Sequence, residues 1–500
     1  MVSCVKTRMV NPAKLGGGTS EQEQFKMQIV DLNSAHFFLY SRIDYERVDS
    51  IPYRSRVFKL DRMRDLLDRL GRPHHHVHVV HVAGTKGKGS TAAMIASVMD
   101  NAGYRTGLFT SPHLERIQER FVVAGRACGE NKFVDLVAQV EPVVSEMDCE
   151  ATASSAAETG PTYFEITTAI ALLYFCQDEV DLAVMEVGLG GRLDSTNVCL
   201  PLVTAITSIS LDHTMQLGNT VGEIATEKSG IIKPNVPVVS GVRENVAGSV
   251  IETTARHWGA PLLTLGQDFD FEYALDWTSA EMRRPLSRIT YREPGAQFRM
   301  EDIQVGLPGK HQASNASVAI AVLGQLRKIG WKISNGAIRD GLANLSWPAR
   351  VEVFDNQPMV VVDGAHNVAS IEALIDVLRD IAPHQSRRLI FATSSDKDVD
   401  GMLQILLPEF KSIVFTRFLN NPRSVSPERL AQQARNHLEN STFRSLNVEI
   451  SMRPDPRSTW QLMTEKSGAS DLICITGSFF IAAELRQLAR EFVTQCQGAV

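Results

Sequence analysis

The stretch His81 to Ser90, HVAGTKGKGS, constrains this chain more than any other. An apolar β pattern (Val77, Val79, Val80, Val82) runs into the glycine-rich turn Gly84 to Ser90 and leaves it as a helical stretch from Thr91 to about Asn101. Strand, glycine loop and helix in that order turn backbone amides inward on an anion and add the positive end of a helix dipole. Gly84, Thr85, Gly87, Lys88, Gly89 and Ser90 are therefore expected to hold nucleotide phosphates, with Lys88 as a point charge and Ser90 where a metal-binding hydroxyl would stand. Gly89 follows Lys88 in place of the usual Ser or Thr, so the strict spacing of that loop is not met; Lys86 reads as a solvated lysine.

Such a loop belongs at the carboxyl end of a parallel sheet. Unbroken apolar runs at Leu182 to Val187 and Val203 to Ile209 read as further buried parallel strands. Residues 262 to 308 alternate aromatic and polar side chains and read as a small β subdomain, and a helical pattern from His311 to Ile329 follows. Pro348 interrupts the chain before a second set of alternating β and α patterns, with strands expected at Met359 to Val362, Leu389 to Ala392, Ser412 to Thr416, Val448 to Ser451 and Leu472 to Thr476. Ser426 followed by Pro427 predicts a helix start. The expected fold is thus α/β: a tail over 1–34, a phosphate-loop domain over 35–347 with a mostly parallel sheet flanked by helices, and a Rossmann-like α/β domain over 348–500. Order is expected from about Phe37.

Composition excludes several classes. Seven scattered cysteines without metal-binding spacing, no apolar run long enough to span a bilayer and no apolar signal core predict a cytoplasmic protein with reduced thiols. A formal net charge of -6 gives no general attraction to nucleic acid, so an anionic substrate must be met by local basic groups and metal ions. The dense group His74, His75, His76 and His78 reads as solvent-facing residues at a strand end.

Eight motifs in order then carry a resemblance: HVAGTKGKGS, the TSPHL segment within Gly107 to Arg120, VMEVGLGGRLDSTN (Val184 to Asn197), the block Ile206 to Lys233, HQASNA (His311 to Ala316), WPAR (Trp347 to Arg350), DGAHN (Asp363 to Asn367) and SDKD (Ser395 to Asp398). Together they resemble the folylpolyglutamate synthase/dihydrofolate synthase family of the Mur ligase superfamily, in which a neutral residue is usual in place of Lys86. The resemblance implies an acid–amino acid ligase that uses ATP to activate a carboxylate as an acyl phosphate and joins it to L-glutamate, releasing ADP and phosphate.

By that resemblance two magnesium ions are expected, with Ser90 and Glu186 on the triphosphate side and Ser111, Glu186 and His213 as the set for the second. Lys228 corresponds to the superfamily's carbamylated lysine, Arg350 to an arginine reaching the phosphates from the linker, and Asp363 and His366 to ribose and phosphate contacts. Asn315 corresponds to an adenine contact, and Lys397 with Asp398 to the glutamate side. On their own residues, His213 reads as a structural histidine, Lys228 as an exposed helical lysine, and Lys397 and Asp398 as a solvated loop. The expected substrates are ATP, L-glutamate and a reduced folate or dihydropteroate, handled by a monomer. A UDP-muramyl peptide ligase and a non-catalytic ATP-binding module stand as alternatives; about fifty ordered residues before Gly84 leave the first little room for its extra domain.

Overall fold

The computed structural model describes residues 28–44, 60–153, 160–243, 245–276, 285–296, 298–354, 357–439 and 443–497. Most of the expected tail lies outside these residues. The first described helix, Leu32–Tyr40, begins earlier than Phe37, because Asp31 caps it: its carboxylate accepts the Ser34 amide at 2.8 Å, while the Ser34 hydroxyl accepts the Asp31 amide at 3.0 Å. Phe38 and Leu39 bury this helix against the first domain.

That domain is built on eight strands: β1 (Val79–Ala83), β2 (Thr106–Phe109), β3 (Phe121–Val123), β4 (Arg126–Ala127), β5 (Leu182–Glu186), β6 (Pro201–Ile206), β7 (Val238–Ser240) and β8 (Leu262–Thr264), in the order β4-β3-β2-β5-β1-β6-β7-β8. Strands from β2 to β8 in that order pair in parallel, and the hairpin-like β3 and β4 run antiparallel at one edge. β1, β2, β5 and β7 are buried along their whole length, which is why their sequence runs without polar alternation. Apolar clusters cover the two faces: Met94, Ile95 and Val98 with Ile320 and Leu323 on one, Phe133, Val137 and Ile170 with Phe175 on the other. The expected β subdomain is an antiparallel three-stranded sheet of β9 (Asp270–Asp276), β10 (Leu286–Glu293) and β11 (Phe298–Val305); β8, placed with it from the sequence, belongs to the large sheet.

The second domain is a six-stranded sheet of β12 (Glu352–Phe354), β13 (Met359–Val362), β14 (Ser386–Phe391), β15 (Ser412–Phe415), β16 (Glu449–Met452) and β17 (Asp471–Thr476), ordered β12-β13-β17-β14-β15-β16. All pairs are parallel except β12 with β13. Each expected strand is present within three residues, and the helix after Ser426 starts at Pro427, with the Arg429 amide 3.3 Å from the Ser426 hydroxyl. Leu114 of the first domain packs against the second domain's apolar cluster. A Cβ on Gly309 would come within 2.6 Å of Val377, so the domains approach closely there too. Among the described residues no helix is long and apolar enough to cross a membrane.

Candidate active site

Everything expected of the phosphate loop follows from where β1 sits. It lies between β5 and β6 in parallel register, Val82 opposite Glu186 and Ala83 opposite Ile206, so three chain segments emerge side by side at the sheet's carboxyl edge. The helix begins at Lys88, three residues before the sequence pattern placed it, with Gly87 at φ 79° as its cap; the amides of Lys88, Gly89 and Ser90 thereby join the loop. A Cβ on Gly87 would meet the Asn315 Oδ1 at 2.2 Å, and one on Gly84, at φ 149°, the Thr207 Oγ1 at 2.0 Å. Only glycine fits between the loop and these two neighbours. The segment after β6 fastens the loop: the Thr85 amide donates to Ser208 O at 2.7 Å, the Lys86 amide to Ser208 Oγ at 3.1 Å, and the Thr207 hydroxyl to Lys86 O at 2.5 Å.

Glu186, the last residue of β5, lies beside the first helical turn, where a Cβ on Gly89 would be 3.3 Å from its Oε2. That oxygen accepts the Ser111 amide at 3.0 Å. Burial raises the carboxyl's pKa, opposed by Lys88, the Ser111 bond, Arg350 and Arg120. Glu186 therefore brings the loop lysine and the linker arginine into one electrostatic site, although they lie in different domains. The Ser90 hydroxyl is buried and has no hydrogen-bond partner among the described residues. Two hard oxygen donors beside a phosphate loop are the donor chemistry magnesium takes.

Lys228 is not the exposed helical lysine its own residues suggest. It is 4 % exposed, at the end of the helix Val221–Ser229, and Nζ donates to Gly84 O at 2.9 Å. Burial, then the charge of Lys88, depresses its pKa to about 7. Gly191 makes this possible, since a Cβ there would meet the carbonyls of Glu227 and Lys228 at 2.9 and 3.0 Å.

His213 begins the short helix Thr214–Leu217 at φ 49°, its side chain 43 % exposed and Nε2 4.0 Å from Asp212. Asp212 was not singled out by the sequence, yet it joins the domains: it accepts from Asn367 Nδ2 at 3.1 Å and lies 3.3 Å from Lys397 Nζ. Burial opposes its ionisation, but His213, Lys397, His366 and Lys86 together hold it well below the ordinary carboxylate range. Lys86, read as solvated, is partly buried in the same cluster, and burial lowers its pKa to about 8. Lys397 and Asp398 part company. Lys397 is partly buried and turns to Asp212 of the first domain, whereas Asp398 stays exposed and caps the helix Val399–Leu406 through the Gly401 amide at 2.9 Å.

Arg350 sits in an unusual turn. Its neighbours Ala349 and Val351 both have left-handed backbone, φ 53° and 48°, a conformation costly for a β-branched residue. Asp363 holds the turn: one oxygen accepts the Val351 amide at 2.7 Å and the other the Ala365 amide at 2.7 Å. The guanidinium lies 4.3 Å from the centroid of the Phe479 ring. His366 packs on the same ring at 5.7 Å, and its Nδ1 is 2.9 Å from Gly364 O. A carbonyl can only accept, so Nδ1 carries the proton and Nε2 presents a lone pair; burial lowers this histidine's pKa to about 4. Asn315 is fixed on the helix Lys310–Lys328 by donating to Gln312 Oε1 at 3.0 Å. Near it opens a cleft between the β subdomain and the helix Val368–Ile381, lined by Phe271, Tyr273, His311 and Val377. The His74–His78 group forms no metal cluster, nor does any other set of three His, Cys, Asp or Glu among the described residues.

Comparison with known proteins decides the assignment. Residues 82–323 match the Mur ligase middle domain and residues 349–479 the Mur ligase glutamate ligase domain. The chain is 36% identical over 431 residues to a dihydrofolate synthase/folylpolyglutamate synthase of Bacillus subtilis, covering 86% of this chain and 94% of that one. The chain belongs to the folylpolyglutamate synthase/dihydrofolate synthase family. It is also 32% identical over 441 residues to a folylpolyglutamate synthase of Lacticaseibacillus casei, with 88% and 96% covered. Among solved structures, Mycobacterium tuberculosis folylpolyglutamate synthase complexed with ADP and AMPPCP superposes with a TM-score of 0.79 at 29% identity, over 92% of this chain and 98% of that one. Escherichia coli FolC in complex with DHPP and ADP gives 0.76 at 27%, over 93% and 99%. As a member of this family the protein is an ATP-dependent ligase forming an amide bond, with ATP as co-substrate.

Proposed function

We propose that this ligase transfers the γ-phosphoryl group of ATP to a carboxylate of a reduced folate and that the amine of L-glutamate then displaces phosphate to form the amide. The observation that carries the reading is the seat of buried Glu186, whose Oε2 would be 3.3 Å from a Cβ on Gly89 in the loop helix and accepts the Ser111 amide at 3.0 Å, with the charges of Lys88 and Arg350, from two domains, both favouring its ionised form. A phosphoryl group in transfer spreads charge over its oxygens, and cations brought in by domain closure stabilise that charge. The amides of Gly87, Lys88, Gly89 and Ser90, at the start of the loop helix, hold the phosphates, since those of Thr85 and Lys86 are taken by Ser208. The cleft beside Asn315 takes the base, where Tyr273 and Phe271 offer an aromatic wall. His366, neutral with Nε2 as acceptor, suits a ribose hydroxyl better than a phosphate; Asp363, whose oxygens both serve backbone amides, acts by setting the Arg350 turn.

Ser90 and Glu186 would hold the first magnesium and Ser111, Glu186 and His213 the second, water and phosphate oxygens completing each shell. Bound there, magnesium would neutralise the triphosphate. Carbamylation of Lys228 fits its environment, because CO2 adds to a neutral amine and a pKa of about 7 leaves much of Nζ neutral. Lys397, paired with Asp212 across the domain boundary, is the better placed of the two residues assigned to glutamate. Both domains of the site come from one chain, so a monomer suffices for the catalysis proposed.

Dihydropteroate is a second acid substrate, a reading favoured by similarity to the B. subtilis enzyme named for both activities. Purified protein given ATP, magnesium and tetrahydrofolate should release ADP only when L-glutamate is added, and dihydropteroate should replace tetrahydrofolate. ADP release that ignores glutamate, or that needs a UDP-muramyl substrate, would overturn the proposal.

A further inference from the structure

Outside the site just described, Arg486 makes three charge-assisted contacts at the domain boundary. It lies on the C-terminal helix Phe479–Gln497 with its side chain 6 % exposed. Nε and Nη2 grip both oxygens of Glu352 at 2.6 and 2.7 Å, a bidentate pairing, and Nη1 reaches Glu115 Oε1 at 2.8 Å. Glu352 in turn accepts the Ala349 amide at 3.0 Å, the residue before Arg350. Phe479, under the Arg350 guanidinium, is seven residues from Arg486, two helical turns along one face. Glu115 sits four residues beyond Ser111, whose amide binds Glu186, and the intervening Leu114 packs against the second domain's apolar cluster.

We infer that Arg486 is a positioning residue that ties docking of the 111–119 segment on the second domain to the placement of Arg350. The connection is continuous and each link is a contact described above: Glu186 to Ser111, Glu115 to Arg486, Arg486 to Glu352, and Glu352 to the Ala349 amide. Arg486 touches no substrate in this scheme. It holds two elements, one from each domain, that must be in register when the phosphoryl group moves, and it does so with a planar fork that a lysine cannot reproduce. The left-handed turn at 349–351 needs such a clamp, since residues in that region persist only where surroundings over-determine them.

The inference rests on the ligase reading, and the wild-type assay separates the two: without glutamate-dependent ADP release the ligase reading falls before any variant is compared. In active protein, Glu115→Gln, Arg486→Lys and the double variant are assayed for kcat and for KM of ATP and tetrahydrofolate, with thermal melting alongside. Glu115 is 36% exposed at its side chain, so its variant keeps the fold. Glu115→Gln should lower kcat about tenfold, the effect of weakening one charge-assisted bond in the transition state, while KM for ATP and the melting temperature stay at wild-type values. Arg486→Lys should lower kcat at least as far, and the double variant no further than Arg486→Lys alone. Wild-type kcat in both single variants, or losses that multiply in the double variant, would overturn the inference; so would a kcat loss that disappears once rates are scaled to folded protein.

Discussion

Replacing Lys228 with methionine should abolish turnover and, at neutral pH, make the protein harder to unfold. Lys228 is 4 % exposed, and its pKa falls from 10.5 in the unfolded chain to about 7 in the fold. A lysine with a depressed folded pKa is protonated more fully in the unfolded state, so its cost to folding is greatest below pH 7 and vanishes as pH passes 10.5. Linkage puts that cost at about 4 kcal/mol at pH 7 and about 2 kcal/mol at pH 9. Methionine removes the titration and also the bond to Gly84 O, leaving that carbonyl short of a partner at about 1–3 kcal/mol. The second term does not depend on pH. The stability difference between variant and wild type should therefore shrink by about 2 kcal/mol from pH 7 to pH 9, whatever its absolute value. Urea unfolding in CO2-free buffer at the two pH values measures it. Parallel pH dependence in the two proteins would refute the buried, proton-shedding lysine, and with it the physical basis for carbamylation; retained turnover would refute its place in the site.

Gly87→Ala forces a Cβ to 2.2 Å from Asn315 at φ 79° and should raise KM for ATP at least tenfold, readable by steady-state titration, with a modest fall in melting temperature. Ser90→Ala removes a buried hydroxyl that has no hydrogen-bond partner among the described residues, so it should leave stability near wild type while raising the magnesium concentration for half-maximal rate several-fold. Arg350→Lys keeps the charge over Phe479 but loses the planar fork; kcat should fall about 100-fold with KM for ATP changed little, as single-turnover ADP formation would show.

Much of this site could be read from sequence because its determinants are local. Gly84, Gly87 and Ser90 lie within one short stretch of chain, and Glu186 ends an apolar run that reads as a buried strand; its register against β1 came only with the fold, since strands buried on both faces carry no alternation to set it. The C-terminal strands were placed to within a few residues for the same reason. Asp398 looked equivalent to Lys397 because adjacent residues share every local signal; only the start of a helix at Val399 separates a cap from a side chain that pairs with Asp212. The small shift of the phosphate-loop helix has a similar origin, since a left-handed Gly87 lets helix begin inside what reads as a glycine-rich turn.

The contacts between domains carried no local signal. Asp212 meets Asn367 across 155 residues and Arg486 meets Glu115 across 371, with no spacing or periodicity to announce either pair. What the amino-acid order determined by itself was the set of elements, the phosphate loop and the family's chemistry, because those depend on neighbours a few residues away. Only the tertiary structure decided which charges are buried and beside what: a lysine that sheds its proton near neutrality, a histidine with its lone pair on Nε2, and an arginine shared by two domains. Protonation and ion pairing depend on solvent exclusion and on charges brought together by folding, and distance along the chain does not measure either.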